Sequence, residues 1–287
     1  MQTGPPASEP AIAARLRAAG CVFAEEEARL LVGVARTPAD LNRVVDERVA
    51  GVPVEQLVGW VPFCGLQIVV DRGVFVPRRR TELLVRESVG LARRVDGPVV
   101  VDLCCGSGAV GAAIAAALPS VELHAVDIDP VAVRCASRNL AGAGASVYEG
   151  DLDAPLPVGL AGHVDVLVAN APYVPSGDID LLPPEARLHE SRAALDGGTD
   201  GLDLVRRVAA AALRWLAPGG HVLVETGERQ AEQVAATFVR HRLLPRVARD
   251  DEVDATVVVG LREGVCPTRR RARTGTRRRA VSRTDES

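Results

Sequence analysis

Between about residues 7 and 58 the apolar positions recur at helical spacing, in short amphipathic segments such as Ile12-Ala13-Ala14-Arg15-Leu16-Arg17 and Glu25 through Val34. Thr37-Pro38-Ala39-Asp40 reads as a helix start, because Thr can cap the first turn and Pro fits inside it. A small helical domain over residues 1–59 is predicted. From Phe63 to Val76 the pattern alternates, as in a hairpin around Asp71-Arg72-Gly73 or a pair of linking strands, so 60–76 reads as a linker. Past Pro77, apolar runs of strand length alternate with helical patterns. Strands are expected near 98–103, 121–126, 145–149, 164–169 and 220–225, with a final pair near 244–249 and 254–261. Strand and helix in turn is the signature of a doubly wound, mostly parallel α/β sheet, here seven-stranded and spanning 77–263.

Composition changes this picture little. A chain of 287 residues and 30.2 kDa can bury about three quarters of its unfolded surface. No apolar run approaches the roughly 20 residues of a membrane span, and the N-terminus lacks a signal-peptide pattern, so a cytoplasmic location without a membrane partner is the expectation. The six cysteines have no metal-ligand spacing, and Cys104-Cys105 reads as small apolar packing. Lysine is absent, and every basic side chain other than His is an arginine. Residues 264–287 carry a net charge of +6 and the rest of the chain −9. That Arg-, Thr- and Ser-rich segment reads as a disordered, solvated tail, with an RNA- or ribosome-seeking arm as the alternative.

Chemistry enters where the first long strand ends. Pro98 to Cys105 runs directly into Gly106-Ser107-Gly108-Ala109-Val110-Gly111 and an Ala-rich helix. Glycines there allow a tight turn and close approach of a ligand, and the helix that follows offers unpaired N–H groups. The next strand ends in Asp127, sixteen residues past Gly111, where a carboxylate can accept hydrogen bonds from both hydroxyls of a ribose. Two cofactors suit this arrangement. The spacing of Gly106, Gly108 and Gly111 satisfies the dinucleotide fingerprint of NAD enzymes, whereas Asp102 on the first strand is expected of S-adenosylmethionine enzymes.

The run His163 to Ala169 ends in Asn170-Ala171-Pro172-Tyr173, where a buried strand would open into a cleft. An Asn side chain offers an acceptor and donors, a strand-end carbonyl offers a second acceptor, Pro fixes the turn and Tyr supplies a flat wall. Such a cluster could grip a planar amide or amino group by its two N–H bonds. A plain strand-terminating turn uses the same residue types.

With these residues in hand, the chain resembles the HemK/PrmC family of protein-glutamine methyltransferases, in segments that follow one order over roughly residues 10 to 262. Gly51-Val52-Pro53-Val54-Glu55-Gln56-Leu57-Val58-Gly59 and Phe63-Cys64-Gly65-Leu66 resemble the family's linker, and Gly73-Val74-Phe75-Val76-Pro77-Arg78 with Thr81-Glu82-Leu83-Leu84-Val85 resembles the start of its catalytic domain. Leu195 to Asp203 and Val224 to Gln230 extend the match. The chain departs from the family at two places: Ala171 stands where Asn-Pro-Pro-Tyr is usual, and Arg79-Arg80 stand where Pro and an acidic residue are common, which predicts a more basic surface beside the cofactor.

The resemblance implies a methyltransferase sheet, S-adenosylmethionine as cofactor, and a protein substrate with an exposed glutamine, such as a peptide-chain release factor, and leaves nucleic acid without a direct role. It implies a methionine portion wrapped by Asp102, Cys104, Cys105, Gly106, Ser107 and Gly108, a ribose on Asp127, and an adenine against Asp151 and Leu152, although Asp151 also suits a turn cap. Asn170 borders the cofactor, and Asn170, Ala171, Pro172 and Tyr173 form the acceptor clamp. The same grip would serve an adenine-N6 methyltransferase of DNA or RNA, against which the acidic body argues. A cofactor-binding interaction module without transfer is the non-enzymatic alternative.

Overall fold

The computed structural model describes residues 8–264, so the sequence reading of the basic tail lies, but for Gly264, outside the described residues. Four helices come first: α1 (Glu9–Ala18), α2 (Ala24–Val34), α3 (Pro38–Val49) and α4 (Val54–Val58). They pack around their own core of Ile12, Leu16, Leu31, Val44 and Val45. The Thr37 hydroxyl caps α3 by accepting from the Asp40 N–H at 3.1 Å.

A hairpin follows, β1 (Trp60–Phe63) against β2 (Leu66–Val69), with Phe63 opposite Leu66. Its turn is Cys64-Gly65, both residues with positive φ, 48° and 76°. Two left-handed residues match the twist of the flanking strands, so of the two alternatives the alternation leaves open the structure has a pair of linking strands, turning at Cys64-Gly65 and not around Asp71-Arg72-Gly73. Past β2 the chain leaves the ladder, and Gly73 bridges instead to Glu190.

The remaining elements are α5 (Glu82–Ala92), β3 (Val99–Leu103), α6 (Ala109–Ala117), β4 (Glu122–Asp127), α7 (Pro130–Leu140), β5 (Ser146–Glu149), β6 (Val164–Ala169), α8 (Pro184–His189), α9 (Asp203–Trp215), β7 (Leu216–Glu225), α10 (Ala231–Arg240), β8 (Leu243–Asp250) and β9 (Ala255–Arg262). The strands form one seven-stranded sheet in the order β5-β4-β3-β6-β7-β9-β8, parallel except where β9 runs against β7 and β8. Every residue of β6 is buried, as expected of a strand covered on both faces. One face packs on α5, α6 and α7, the other on α9 and α10. Strand order reverses between β3 and β6, so the crevice beyond their carboxyl ends is the topological switch point, where open α/β sheets bind ligands.

Candidate active site

The loop after β3 is shaped by left-handed backbone. Cys104, Gly106 and Gly108 have φ of 56°, 55° and 77°. For Cys104 this conformation costs about 1–2 kcal/mol, strain of the kind that gathers at ligand sites. A Cβ on Gly106 would meet nothing within 4 Å, so its backbone faces open space, whereas a Cβ on Gly108 would lie 3.1 Å from Ala136 of α7. The first glycine leaves room for a ligand and the second lets the turn press against the neighbouring helix.

Two carboxylates stand at the ends of β3 and β4. Asp102 is buried and accepts from the Gly111 N–H at 3.0 Å. Burial pushes its carboxyl up to about 7, the Gly111 hydrogen bond opposing and the charge of Asp127 adding to the shift. Asp127 accepts from the N–H of Gly106 at 2.8 Å and of Asp129 at 2.9 Å. Burial raises its pKa as well, against those two bonds. One carboxylate thus ties together the loops after two strands. Burial also drives the Cys104 and Cys105 thiols upward, which keeps both protonated and unreactive, as the packing reading of the pair expects.

A cavity of about 670 Å³ lies along this edge, within the size range of ligand pockets. It is lined by Asp102, Cys104, Cys105, Gly106, Ser107, Asp127, Asp151, Leu152 and the whole of Asn170-Ala171-Pro172-Tyr173. Of the residues expected at the site only Gly108 does not face it, since that glycine turns the chain behind the wall. Leu152 is buried with φ of 54°, which aims an apolar side chain inward. The Asp151 carboxylate is paired with Arg207 at 2.8 Å, a cavity-lining partner on α9 for which no motif called.

The Asn-Ala-Pro-Tyr turn is braced from behind by two other segments that carry the chain's resemblance to the HemK/PrmC family. A Cβ on Gly197 would lie 2.7 Å from the Pro172 carbonyl oxygen, and one on Gly201 would lie 2.3 Å from that of Tyr173. Val174 donates to the Leu195 carbonyl at 3.1 Å, and the Gln230 amide donates to the Tyr173 carbonyl at 3.0 Å. Leu195–Asp203 and Val224–Gln230 are therefore the scaffold of this turn. Ala171 is buried, and burial raises the Tyr173 hydroxyl to about 12, so the ring is a neutral wall. The Asn170 amide nitrogen lies 3.5 Å from the Thr81 hydroxyl oxygen.

Two of the three arginines face buried carboxylates, while Arg79 is exposed. Arg78 lies over the Phe75 ring, 5.2 Å from its centre, and pairs at 2.5 Å with Glu190, whose side chain is fully buried. Arg80 stands 3.7 Å from the buried Glu225. Each of the two faces a carboxylate withdrawn from solvent, brought in from a distant part of the chain. Glu190 also accepts from the Val76 N–H at 3.2 Å. Sequence reasoning gave Glu190, Glu225 and Thr81 no role; only the last two fall within matching segments, and nothing around Glu190 signals it.

The helical domain is tied to one wall of the cavity. Arg48 pairs with Glu27 and, at 2.6 Å, with Glu185 of the cavity-lining α8. The Gln56 amide donates to the carbonyls of Val74 at 3.0 Å and His189 at 3.2 Å.

Residues 66–200 match the family description "Methyltransferase small domain". A release factor glutamine methyltransferase of Geobacter sulfurreducens is 39% identical over 223 residues, 77% of each chain. A 4-amino-L-phenylalanine/4-methylamino-L-phenylalanine methyltransferase of Streptomyces pristinaespiralis is 37% identical over 199 residues, 68% of each chain. The crystal structure of a methyltransferase from Pyrococcus furiosus superposes with a TM-score of 0.52 at 14% identity, covering 69% of this chain and 90% of that one, a likeness of fold alone.

Proposed function

The chain belongs to the release factor glutamine methyltransferase family, and from that premise we infer that it transfers a methyl group from S-adenosylmethionine to the side-chain amide nitrogen of a protein glutamine. The observation that carries this reading is Asn170 at the carboxyl end of β6, opening on the same cavity as Asp102 and Asp127.

The site suits that cofactor. Open space over Gly106 leaves room for its amino-acid part, Asp127 keeps lone pairs for two ribose hydroxyls, and Leu152 offers an apolar contact to the base. Two carboxylates and two protonated thiols make a wall that favours a cation over an anion. When bound, S-adenosylmethionine supplies a sulfonium methyl, whose bond to sulfur breaks, the electron pair staying on sulfur, as the bond to nitrogen forms.

The protein's own task is orientation. An amide nitrogen is a weak nucleophile because its lone pair is delocalised into the carbonyl, so placing it in line supplies much of the acceleration. Asn170 Oδ1 and the Ala171 carbonyl each accept one N–H of the substrate amide and stabilise the positive charge growing on nitrogen. Tyr173 packs against the amide plane, and Pro172 holds the turn. The extra proton leaves to solvent after transfer, so no strong base is required.

A peptide-chain release factor is the substrate that the relatives' names support, and such a substrate puts the enzyme in the cytoplasm. No helix among the described residues is long and apolar enough to cross a membrane. The Streptomyces pristinaespiralis relative supports a second reading, in which a free aromatic amine occupies the clamp. A nucleic-acid base finds less support, since Arg78 and Arg80 are matched by buried carboxylates. Methyl-labelled S-adenosylmethionine incubated with lysate of a strain lacking the protein, followed by mass spectrometry, is expected to place label on one protein glutamine. Label confined to a small amine or to nucleic acid overturns the reading.

A further inference from the structure

We propose that Gln56 and Arg48 of the helical domain are positioning residues for methyl transfer, holding in place the wall that the cavity presents to the acceptor. The inference rests on the reading of Asn170-Ala171-Pro172-Tyr173 as the acceptor clamp. Residues 175–194 form an excursion that leaves directly after that clamp and returns beside it, its ends joined where Val174 donates to the Leu195 carbonyl at 3.1 Å and Gly197 donates to the Val174 carbonyl at 2.8 Å. Between these ends run Leu182, Pro183, Glu185 and Ala186, which line the cavity. The excursion turns there as α8, a helix of six residues, none of them buried. So short a helix without a buried face does not hold its own place, because helical segments are stabilised mainly by packing.

Both ends of α8 are tied to the helical domain instead. In its first turn Glu185 pairs with Arg48 at 2.6 Å. Arg48 is 6% exposed, and its Nε and one terminal nitrogen donate to the two oxygens of the Glu27 carboxylate at 2.6 and 3.1 Å. A planar fork fixed at two points aims its third nitrogen, the one that meets Glu185, in a set direction. At the last residue of α8 the His189 carbonyl accepts from the Gln56 amide at 3.2 Å. The same amide donates to the Val74 carbonyl at 3.0 Å, and its oxygen accepts from the Gly73 N–H at 3.3 Å.

Gln56 is 6% exposed and thus commits both N–H bonds and its oxygen to three backbone groups, two in the linker and one in α8. Burying an amide costs more than burying an apolar side chain of its size, so packing alone does not call for it. What the amide supplies is register, fixing linker and α8 to one group of the helical domain. Gln56 and Arg48 stand outside the cavity lining, so their effect on transfer runs through the wall.

The test uses the full chain with two readouts. The first is the initial rate of labelling from methyl-labelled S-adenosylmethionine at saturating cofactor, measured over a dilution series of lysate from a strain lacking the protein. Gln56→Met keeps the length of the side chain and removes all three hydrogen bonds. The lysate concentration that gives half-maximal labelling is expected to rise about tenfold to a hundredfold, the scale of loss when a contact surface is displaced by up to an ångström. The maximal rate and the cofactor affinity by calorimetry should stay as in wild type. A merely structural role would lower the folded fraction, and with it the maximal rate, at an unchanged half-saturating concentration; that result overturns the proposal, as does a profile equal to wild type. Should Gln56→Met not fold, Glu185→Gln cuts the other tie at a half-exposed side chain and carries the same direction of change, and an unmoved half-saturating concentration there overturns the proposal too.

The second readout is independent of substrate. The backbone amide resonance of Ala186, assigned by its loss in Ala186→Ser, reports the cavity-lining end of α8, away from the His189 carbonyl that Gln56 holds. It is expected to shift in Gln56→Met, and an unshifted resonance overturns the proposal. Wild-type protein that labels no glutamine overturns the proposed reaction alone, and the resonance then decides whether the helical domain positions the wall.

Discussion

The two halves of the cleft are built on opposite plans. On the cofactor side, carboxylates at the ends of β3 and β4 are satisfied by backbone N–H groups of the turns and helix that follow these strands: Asp102 by Gly111, Asp127 by Gly106 and Asp129. On the acceptor side, charged side chains reach across the chain to one another, Arg78 to Glu190 and Arg80 to Glu225, and an oxygen of each glutamate is left without a partner. The cofactor half is a finished socket, held by bonds from its carboxylates to the main chain of two adjacent strand-turn-helix units. The acceptor half is assembled by tertiary contacts and keeps unspent hydrogen-bonding capacity beside the turn that must recognise a partner.

If the halves are separable, a change confined to the acceptor turn should leave the socket intact. Asn170→Ala is expected to lower the rate of methyl transfer by about 10²–10³-fold, the loss typical of removing one well-placed charge-stabilising acceptor or donor. Cofactor affinity by calorimetry should change little. A variant that lost affinity and rate together would mean that Asn170 belongs to the socket.

Breaking the assembly of the acceptor half should register in stability. Arg78→Ala leaves Glu190, whose side chain is fully buried, with the Val76 N–H as its remaining hydrogen bond. Stranding a buried charge costs about 3–5 kcal/mol where both partners are buried; because Arg78 is 35% exposed, about 2–3 kcal/mol is expected once its solvent screening is counted. Urea unfolding followed by circular dichroism measures it, and a midpoint equal to wild type would show that the pair holds nothing together.

The same contrast explains what could be read from the amino-acid order. The glycine turn, Asp127 and the strand positions are local or periodic signals, and the sheet has all seven strands within a few residues of where the apolar runs place them. The Cys64-Gly65 hairpin turn was hidden because a two-residue left-handed turn leaves no break in the alternation. Glu190 was illegible for a stronger reason. Its partners Val76 and Arg78 lie more than a hundred positions away, and nothing in the residues beside it distinguishes it from a solvated surface glutamate. The arginine triplet is read too simply for the same reason, since Arg78 and Arg80 each face a carboxylate that only the fold brings near.

The socket can be tested directly at Asp127. Asp127→Asn keeps the shape but turns an NH2 toward either Gly106 or Asp129, placing donor against donor in one of two bonds now at 2.8 and 2.9 Å. An unmet buried hydrogen bond costs about 1–3 kcal/mol, so cofactor affinity is expected to fall by about fivefold to a hundredfold by calorimetry, the scale on which 1.4 kcal/mol is tenfold. The Asn170 side-chain resonances should stay in place. Their movement would show that the two halves communicate.

The smallest effect should come from Asp102, and pH exposes it. Its carboxyl is raised from 3.8 to about 7 in the folded protein, mainly by burial. Between those values the native state holds a proton that the unfolded chain has released, so the contribution of Asp102 to stability falls as pH rises through that window and levels off above about 7. A bound sulfonium reverses the preference, because a cation in the same cavity favours the carboxylate. Cofactor affinity should therefore increase as pH rises toward about 7 and then flatten, with up to one proton released per molecule bound below that point. S-adenosylhomocysteine, an uncharged thioether in the same position, should show a shallower profile, and Asp102→Asn should flatten the difference between the two ligands. Equal slopes for both ligands would mean that the buried carboxylate maintains the turn through Gly111 and does not sense the charge that the cofactor carries.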